Sequence, residues 1–199
     1  MAHTVDYYFT SQSPWTYLGH ARFAAMAKAA GATVNVLPVD MGRVFPVSGG
    51  LPLGQRAPQR QAYRLVDLRR FSQHLGVALN LQPRYFPVAA DDAGRLIIAV
   101  EQHDGADAAM KLCGAVFAAV WVQERDIADQ AVLAALLAEN GLPAQRLSQA
   151  RDAPAQARYD ENTAKAIELG IFGAPSYVID GEIFWGQDRL DFVQRALQA

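Results

Sequence analysis

Strand-forming sequence is confined to the two ends of this 199-residue chain, and that confinement decides what it can fold into. At the front, Val5 to Phe9 (VDYYF) carries the β-branched and aromatic residues that suit a pleated strand, and it runs into the polar turn TSQS. Pro14 then fits a first helical position behind Ser13 as N-cap, and Leu18, Ala21 and Ala25 recur at helical spacing until Gly31. Thr33 to Val39 (TVNVLPV) follows as a second strand, with Pro38 marking its end. A strand, a helix and a strand in that order form the unit of a parallel pair. At the back, Ser176 to Ile179 and Glu182 to Trp185 flank Asp180-Gly181, the strongest short hairpin signal. A closing helix from about Asp188 to Leu197 carries Leu190, Val193 and Leu197 on one face.

Between these ends the pattern is helical. A Gly/Pro-rich stretch, VSGGLPLGQRAP, reads as a loop, after which Gln59 to Leu75 carries Tyr63, Val66, Leu68 and Phe71 at mostly helical intervals. The prolines of LNLQPRYFPV forbid a regular helix there. Leu96 to His103, Ala106 to Glu124, Asp129 to Asn140 and Arg158 to Leu169 read as helices, the third stopping at Gly141-Leu142-Pro143. The chain is therefore α/β, written βαβ, then a large all-helical insertion, then ββα.

Composition narrows the function. Eighteen basic against twenty acidic residues leave a net charge of −2, with no overall attraction for nucleic acid or an anionic membrane. No run approaches the roughly 18 apolar residues of a membrane span, and the N-terminus lacks a basic segment followed by a long apolar one, so a cytoplasmic location is expected. The one cysteine, Cys113, has no partner for a disulfide and sits among apolar neighbours, which predicts a buried structural thiol. His3, His20, His74 and His103 show no metal-ligand spacing, so no metal site is expected, and surface or capping roles are the default for them.

Read from the residues alone, Ser13-Pro14-Trp15-Thr16 is a helix start whose serine caps; equally, the unpaired N–H groups and positive dipole end of such a start favour an anion. Two larger comparisons then apply. The order βαβ…ββα, with Gly-Ala-Pro-Ser opening the third strand, resembles the thioredoxin fold, and Ser-Pro-Trp-Thr resembles the Cys-Pro-x-Cys of DsbA-type thiol oxidases with both sulfurs replaced by hydroxyls. That replacement excludes disulfide exchange at this position, which needs a thiolate. The segments FTSQSPWTYLG, VDMGRV, AYRLVDLRRF and YDENTAKAIELGIFGAPSYVIDGEIFWGQDRL together resemble the 2-hydroxychromene-2-carboxylate isomerase and kappa-class glutathione transferase family over nearly the full chain.

The resemblance implies a thioredoxin-like domain made of residues 1–40 and 170–199, with the helix about 156–169 packing on it, and a helical insert domain over 41–155. It implies glutathione as cofactor. The family's catalytic serine, which contacts the glutathione sulfur, falls on Ser13. The backbone clamp on the tripeptide falls on Ala174, before a cis Pro175, and the segment closing over the γ-glutamyl end falls on Trp185, Gly186, Gln187 and Asp188. By itself Pro175 is a strand-start proline and Asp188 a helix N-cap, which leaves both readings of Asp188 open. The substrate-contacting Arg-Val pair matches Arg43-Val44, and an aromatic contact falls on Tyr85 or Phe86. Alone, Arg43 is a solvated loop cation and Tyr85 and Phe86 are core or lid residues. The loop GGLPLGQRAPQ lacks the asparagine that family members commonly carry there, which weakens contacts assigned to Leu53, Gly54 or Gln55. Arg60, three residues before Tyr63, matches the family's usual basic position.

The activity implied is interconversion of 2-hydroxychromene-2-carboxylate with its trans-open benzylidenepyruvate form in aromatic, naphthalene-type catabolism. The substrate is a small aromatic carboxylate, placed between the two domains, and the assembly is a homodimer. The alternatives are a kappa-type transferase that leaves the tripeptide on its product, and a non-catalytic binder of glutathione conjugates.

Overall fold

The computed structural model describes residues 3–199. Four strands, β1 (Thr4–Phe9), β2 (Thr33–Pro38), β3 (Ser176–Ile179) and β4 (Glu182–Trp185), form one mixed sheet in the order β2-β1-β3-β4. β1 pairs in parallel with β2, while β3 is antiparallel to both β1 and β4. This is the βαβ…ββα sheet that the two ends of the sequence demand. In the β3–β4 hairpin Asp180 and Gly181 both adopt positive φ (50° and 84°), the left-handed pair that a two-residue turn needs to match the strand twist.

Nine helices are described: α1 (Pro14–Ala29), α2 (Met41–Ser48), α3 (Pro58–Leu75), α4 (Asp91–Asp104), α5 (Ala106–Trp121), α6 (Gln130–Glu139), α7 (Arg146–Gln149), α8 (Ala153–Glu168) and α9 (Leu190–Ala196). α1, α4 and α5 join β1, β3 and α9 in one core containing Val5, Tyr7, Phe9, Phe23, Ile97, Val100, Cys113, Phe117, Tyr177 and Val193. Cys113 is fully buried there, and burial pushes its thiol pKa well above the ordinary value, so it is a packing residue. A second core, under Tyr8, Leu37, Val39 and Val44, lies between the sheet, α2 and α8. The outer edge of β2 is covered: Glu101 of α4 accepts from the Val36 N–H at 2.8 Å, so a group that would otherwise invite another strand is satisfied.

Three elements differ from the sequence expectation. Residues 41–48, to which the sequence assigns no helix and whose last two residues open the stretch read as loop, form α2: Asp40 caps it by accepting from the Gly42 N–H at 2.7 Å, and Gly49 ends it at φ 75°. Pro46 and the flanking glycines hide this helix in the sequence, yet burial of Met41 and Val44 holds it. α4 starts at Asp91, five residues before the apolar run, with Asp91 and Asp92 at the dipole's positive end. α8 likewise starts early, at Ala153. His20 also departs from the surface or capping role expected of it: it is only 7% exposed, with Tyr7 Oη at 3.3 Å from Nδ1 and Met110 O at 2.9 Å from Nε2.

Candidate active site

Ser13 is the N-cap of α1 (φ −74°, ψ 123°), and its Oγ accepts from the Thr16 N–H at 3.2 Å. Accepting through a lone pair leaves the hydroxyl proton free to be donated. The Ser13 carbonyl takes the Tyr17 N–H at 3.0 Å, Pro14 has no N–H, and the Thr16 N–H is engaged, so Trp15 holds the remaining first-turn donor. No acidic residue stands in the first turn to neutralise that end of a 16-residue helix. The start of α1 therefore presents one O–H and one N–H in a positive field, surroundings that favour a thiolate or carboxylate over its neutral acid. The hydroxyls of Ser11 and Thr16 are also buried here without partners among the described residues.

Topology brings the second wall. β3 faces Tyr8 with Ser176, and extending that antiparallel register by two residues sets Pro175 level with Phe9 and Ala174 level with Thr10. The Thr10 carbonyl in turn accepts from the Ser13 N–H at 3.0 Å. The Ala174–Pro175 peptide bond is cis, as the resemblance implied. Among the described residues the N–H and C=O of Ala174 have no backbone partner, whereas Pro175 O accepts from the Gly186 N–H at 2.9 Å. An extended peptide can pair with such an open main-chain unit as an added strand.

The segment after β4 is fixed onto α1. Gln187 is 2% exposed, and both its backbone and side-chain oxygens accept from Arg22 Nη2. Both oxygens are thus engaged within the protein, leaving the Gln187 backbone N–H for a ligand. Asp188 is exposed, lies in a 3-10 turn over Gln187–Arg189 and pairs with Arg189 at 2.7 Å. It does not cap α9, whose N-cap position is Arg189, so the capping reading of Asp188 is corrected. Gly186 adopts φ 103°, a conformation open to glycine, with Asp188 folded close to it. Trp185 is half exposed and packs edge-on to Phe172 at 4.7 Å, its indole lying over Gly173, where a Cβ would stand 2.2 Å from Nε1.

The helical wall closes the third side. Gln12, next to Ser13, accepts from the Val88 N–H at 3.0 Å, and Trp15 meets Phe71 of α3 edge-on at 5.8 Å. Phe86 therefore lies close to the site; its ring packs on Trp121 at 4.7 Å. Tyr85 stands beside it under the guanidinium of Arg84. Arg43 sits on α2, not in a loop, and its guanidinium pairs with Asp160 of α8 at 2.6 Å; Val44 is fully buried in the second core. Sequence reasoning missed the ties Gln12–Val88 and Arg22–Gln187, for which no local pattern gives a signal. A cleft of about 510 Å³ lined by Asp6, Tyr8, Arg158 and Glu168 among others includes neither Ser13, Ala174 nor the segment 185–188. Among the described residues no group of histidines, cysteines or carboxylates is arranged to hold a metal, and no helix is long and apolar enough to cross a membrane.

Comparison with known proteins gives the same frame. The family model of the DSBA-like thioredoxin domain matches residues 4–198. The chain is similar to a 2-hydroxychromene-2-carboxylate isomerase of Pseudomonas putida, 32% identical over 97% of this chain and 93% of the relative. It is similar at 23% identity to a glutathione S-transferase kappa 1 of Caenorhabditis elegans, over 98% of this chain and 90% of the other. A solved structure of a 2-hydroxychromene-2-carboxylate isomerase superposes with a TM-score of 0.80 at 29% identity, covering 98% and 94% of the two chains.

Proposed function

Because the chain belongs to the DSBA-like thioredoxin family, and within it to the group of the 2-hydroxychromene-2-carboxylate isomerases, we propose that it is a glutathione-dependent isomerase of a small aromatic carboxylate. The substrate pair is 2-hydroxychromene-2-carboxylate and its trans-open benzylidenepyruvate form. The observation that carries this reading is the start of α1, where Ser13 holds a donatable proton beside the free Trp15 N–H with no acid to compensate the field.

The residues present fit the tripeptide. Ser13 and Trp15 would hold the sulfur with two donors, the open Ala174 unit would pair with the peptide's main chain, and Gly186 and Asp188 would hold its γ-glutamyl end. Bound there, glutathione would supply a thiolate nucleophile for reversible addition to the substrate's double bond, the chemistry that would free that bond to rotate. Ser13 lowers the free energy of the thiolate relative to the thiol, and a hydrogen bond to a charged group contributes about 1.5–3 kcal/mol. Gln12 holds the loop bearing Phe86 against this start, so the aromatic substrate is confined beside the sulfur and shielded from water. The kappa-class relative supports a second fate at the same site, in which the product keeps the tripeptide.

The test is a thiolate absorbance titration of glutathione bound to wild type and to Ser13→Ala. The free thiol titrates well above neutrality, near the cysteine value of about 8.5. Wild type should depress it, and Ser13→Ala should return it by about one unit or more, the α1 field persisting in both. A bound thiol with the same titration in both proteins would remove Ser13 from the reaction.

A further inference from the structure

Arg43 shares its guanidinium with Asp160 through Nη1, so a substrate carboxylate reaching it would meet a cation already facing an acid. Arg64 of α3 stands out. Its guanidinium carbon lies 5.0 Å from the Phe86 ring centroid and 5.8 Å from that of Trp121. Its Nη2 is fully buried with no hydrogen-bond partner among the described residues. The same is true of the indole Nε1 of Trp121, a residue with no exposed surface. Two strong donors thus share one aromatic nest without an acceptor, which costs each about 1–3 kcal/mol of desolvation until an acceptor arrives. Burial, and then the neighbouring charge of Arg56, push the Arg64 pKa down to about 10, the direction expected of a cation that lacks its counter-ion.

The nest also lies at the site. Arg64, Leu68 and Phe71 are spaced i, i+4, i+7 and therefore share one face of α3; Phe71 on that face touches Trp15, and Leu68 is fully buried. Seven residues of helix place Arg64 about 10 Å along the axis from the Trp15 contact. Phe86 under the guanidinium is two residues from Val88, which is tied to Gln12 beside Ser13.

We propose that Arg64 is the substrate-carboxylate receptor, its planar guanidinium stacked on Phe86 and Trp121 with the Trp121 N–H as a second donor. This deepens the functional reading above and rests on it for the identity of the acid. Arginine is suited to the task because its fork matches a carboxylate in two parallel hydrogen bonds, which an ammonium cannot reproduce.

The experiment measures binding of salicylate and of its neutral counterpart salicylamide to the glutathione-loaded protein, by calorimetry, in wild type, Arg64→Gln, Arg64→Lys and, as a control on the exposed side of α3, Arg70→Gln. Loss of one charged hydrogen-bonded partner should weaken salicylate about tenfold to a hundredfold in Arg64→Gln. Arg64→Lys should fall between, salicylamide should be unaffected, and Arg70→Gln should match wild type. The KM for the chromene acid should rise with the salicylate Kd while the KM for glutathione stays level. Equal salicylate affinity in wild type and Arg64→Gln would overturn the assignment, as would an equal loss for acid and amide; should Arg64→Gln not fold, Arg64→Lys with wild-type salicylate affinity would overturn it. Failure of the wild type to turn over the chromene acid would count against the functional reading instead, because salicylate binding reads the receptor alone.

Discussion

Gly19→Ala should destabilise this protein, against the ordinary rule for a glycine inside a helix. In an unobstructed helix the replacement gains about 0.8–1 kcal/mol. Here the added Cβ would stand 2.8 Å from Gln187 Cβ, 3.2 Å from Tyr177 Oη and 3.4 Å from Gln187 Cα. Carbon atoms in good contact sit at roughly 3.5–4.0 Å, so the segment after β4 must move back by close to an ångström. Gln187 has nowhere to go: it is 2% exposed and held by Arg22, one turn further along α1. Overpacking of this kind costs about 1–3 kcal/mol, which offsets the helical gain and leaves a net loss of up to about 2 kcal/mol. For a chain of this size each kcal/mol moves Tm by about 2–4 °C, so Tm should fall by up to roughly 8 °C. Gly114→Ala in α5 is the matched control, since its Cβ would meet the His20 ring at 3.4 and 3.5 Å, ordinary contact, and it should be neutral or stabilising. Denaturant unfolding of both variants decides the matter, and the KM for glutathione should rise only in Gly19→Ala, because the displaced turn carries Gly186 and Asp188. A Gly19→Ala protein as stable as Gly114→Ala would refute the packing argument.

Two further outcomes follow from the geometry. Burial lowers the His20 pKa from its usual 6.5 to about 4, opposed by its bond to the Met110 carbonyl; the unfolded chain therefore binds this proton more readily. Its contribution, about 3 kcal/mol, is present in full above pH 6.5 and is lost as pH falls toward 4. Subtracting the unfolding free energies of His20→Gln from those of wild type across that window should show the decline, and a flat difference would contradict it. Gly173→Ala should swing the half-exposed Trp185 off its seat, because the new Cβ overlaps the indole and the indole is free to leave. Stability should change by less than about 1 kcal/mol, the worth of one aromatic pair, while tryptophan fluorescence shifts; an unshifted spectrum would mean that the ring does not move.

The parts legible in the sequence are those whose cause is local. The two strand pairs, the Asp180-Gly181 turn and the Ser13 cap are each dictated by residues within a few positions, and each stands where the pattern put it. α2 was hidden because Pro46 and its glycines argue against a helix, and only Asp40 and the burial of Val44 against the second core outweigh them. The early start of α4 is similar: Gly94 breaks the apolar pattern, but it is there because the Tyr159 ring lies 3.0 Å from where its Cβ would be. Arg43 read equally well as a loop cation or a substrate contact, and its pairing with Asp160 depends on a helix more than a hundred residues away. Arg64 and Trp121 were invisible for the same reason, since an unmet donor is a property of the assembled interior.

The most direct measurement follows the ultraviolet spectrum of 2-hydroxychromene-2-carboxylate mixed with the protein, with and without glutathione, and assays the glutathione afterwards. Ring opening should require the tripeptide and return it unconsumed. Isomerisation at the same rate in its absence would contradict a site built around Ser13 and a borrowed sulfur.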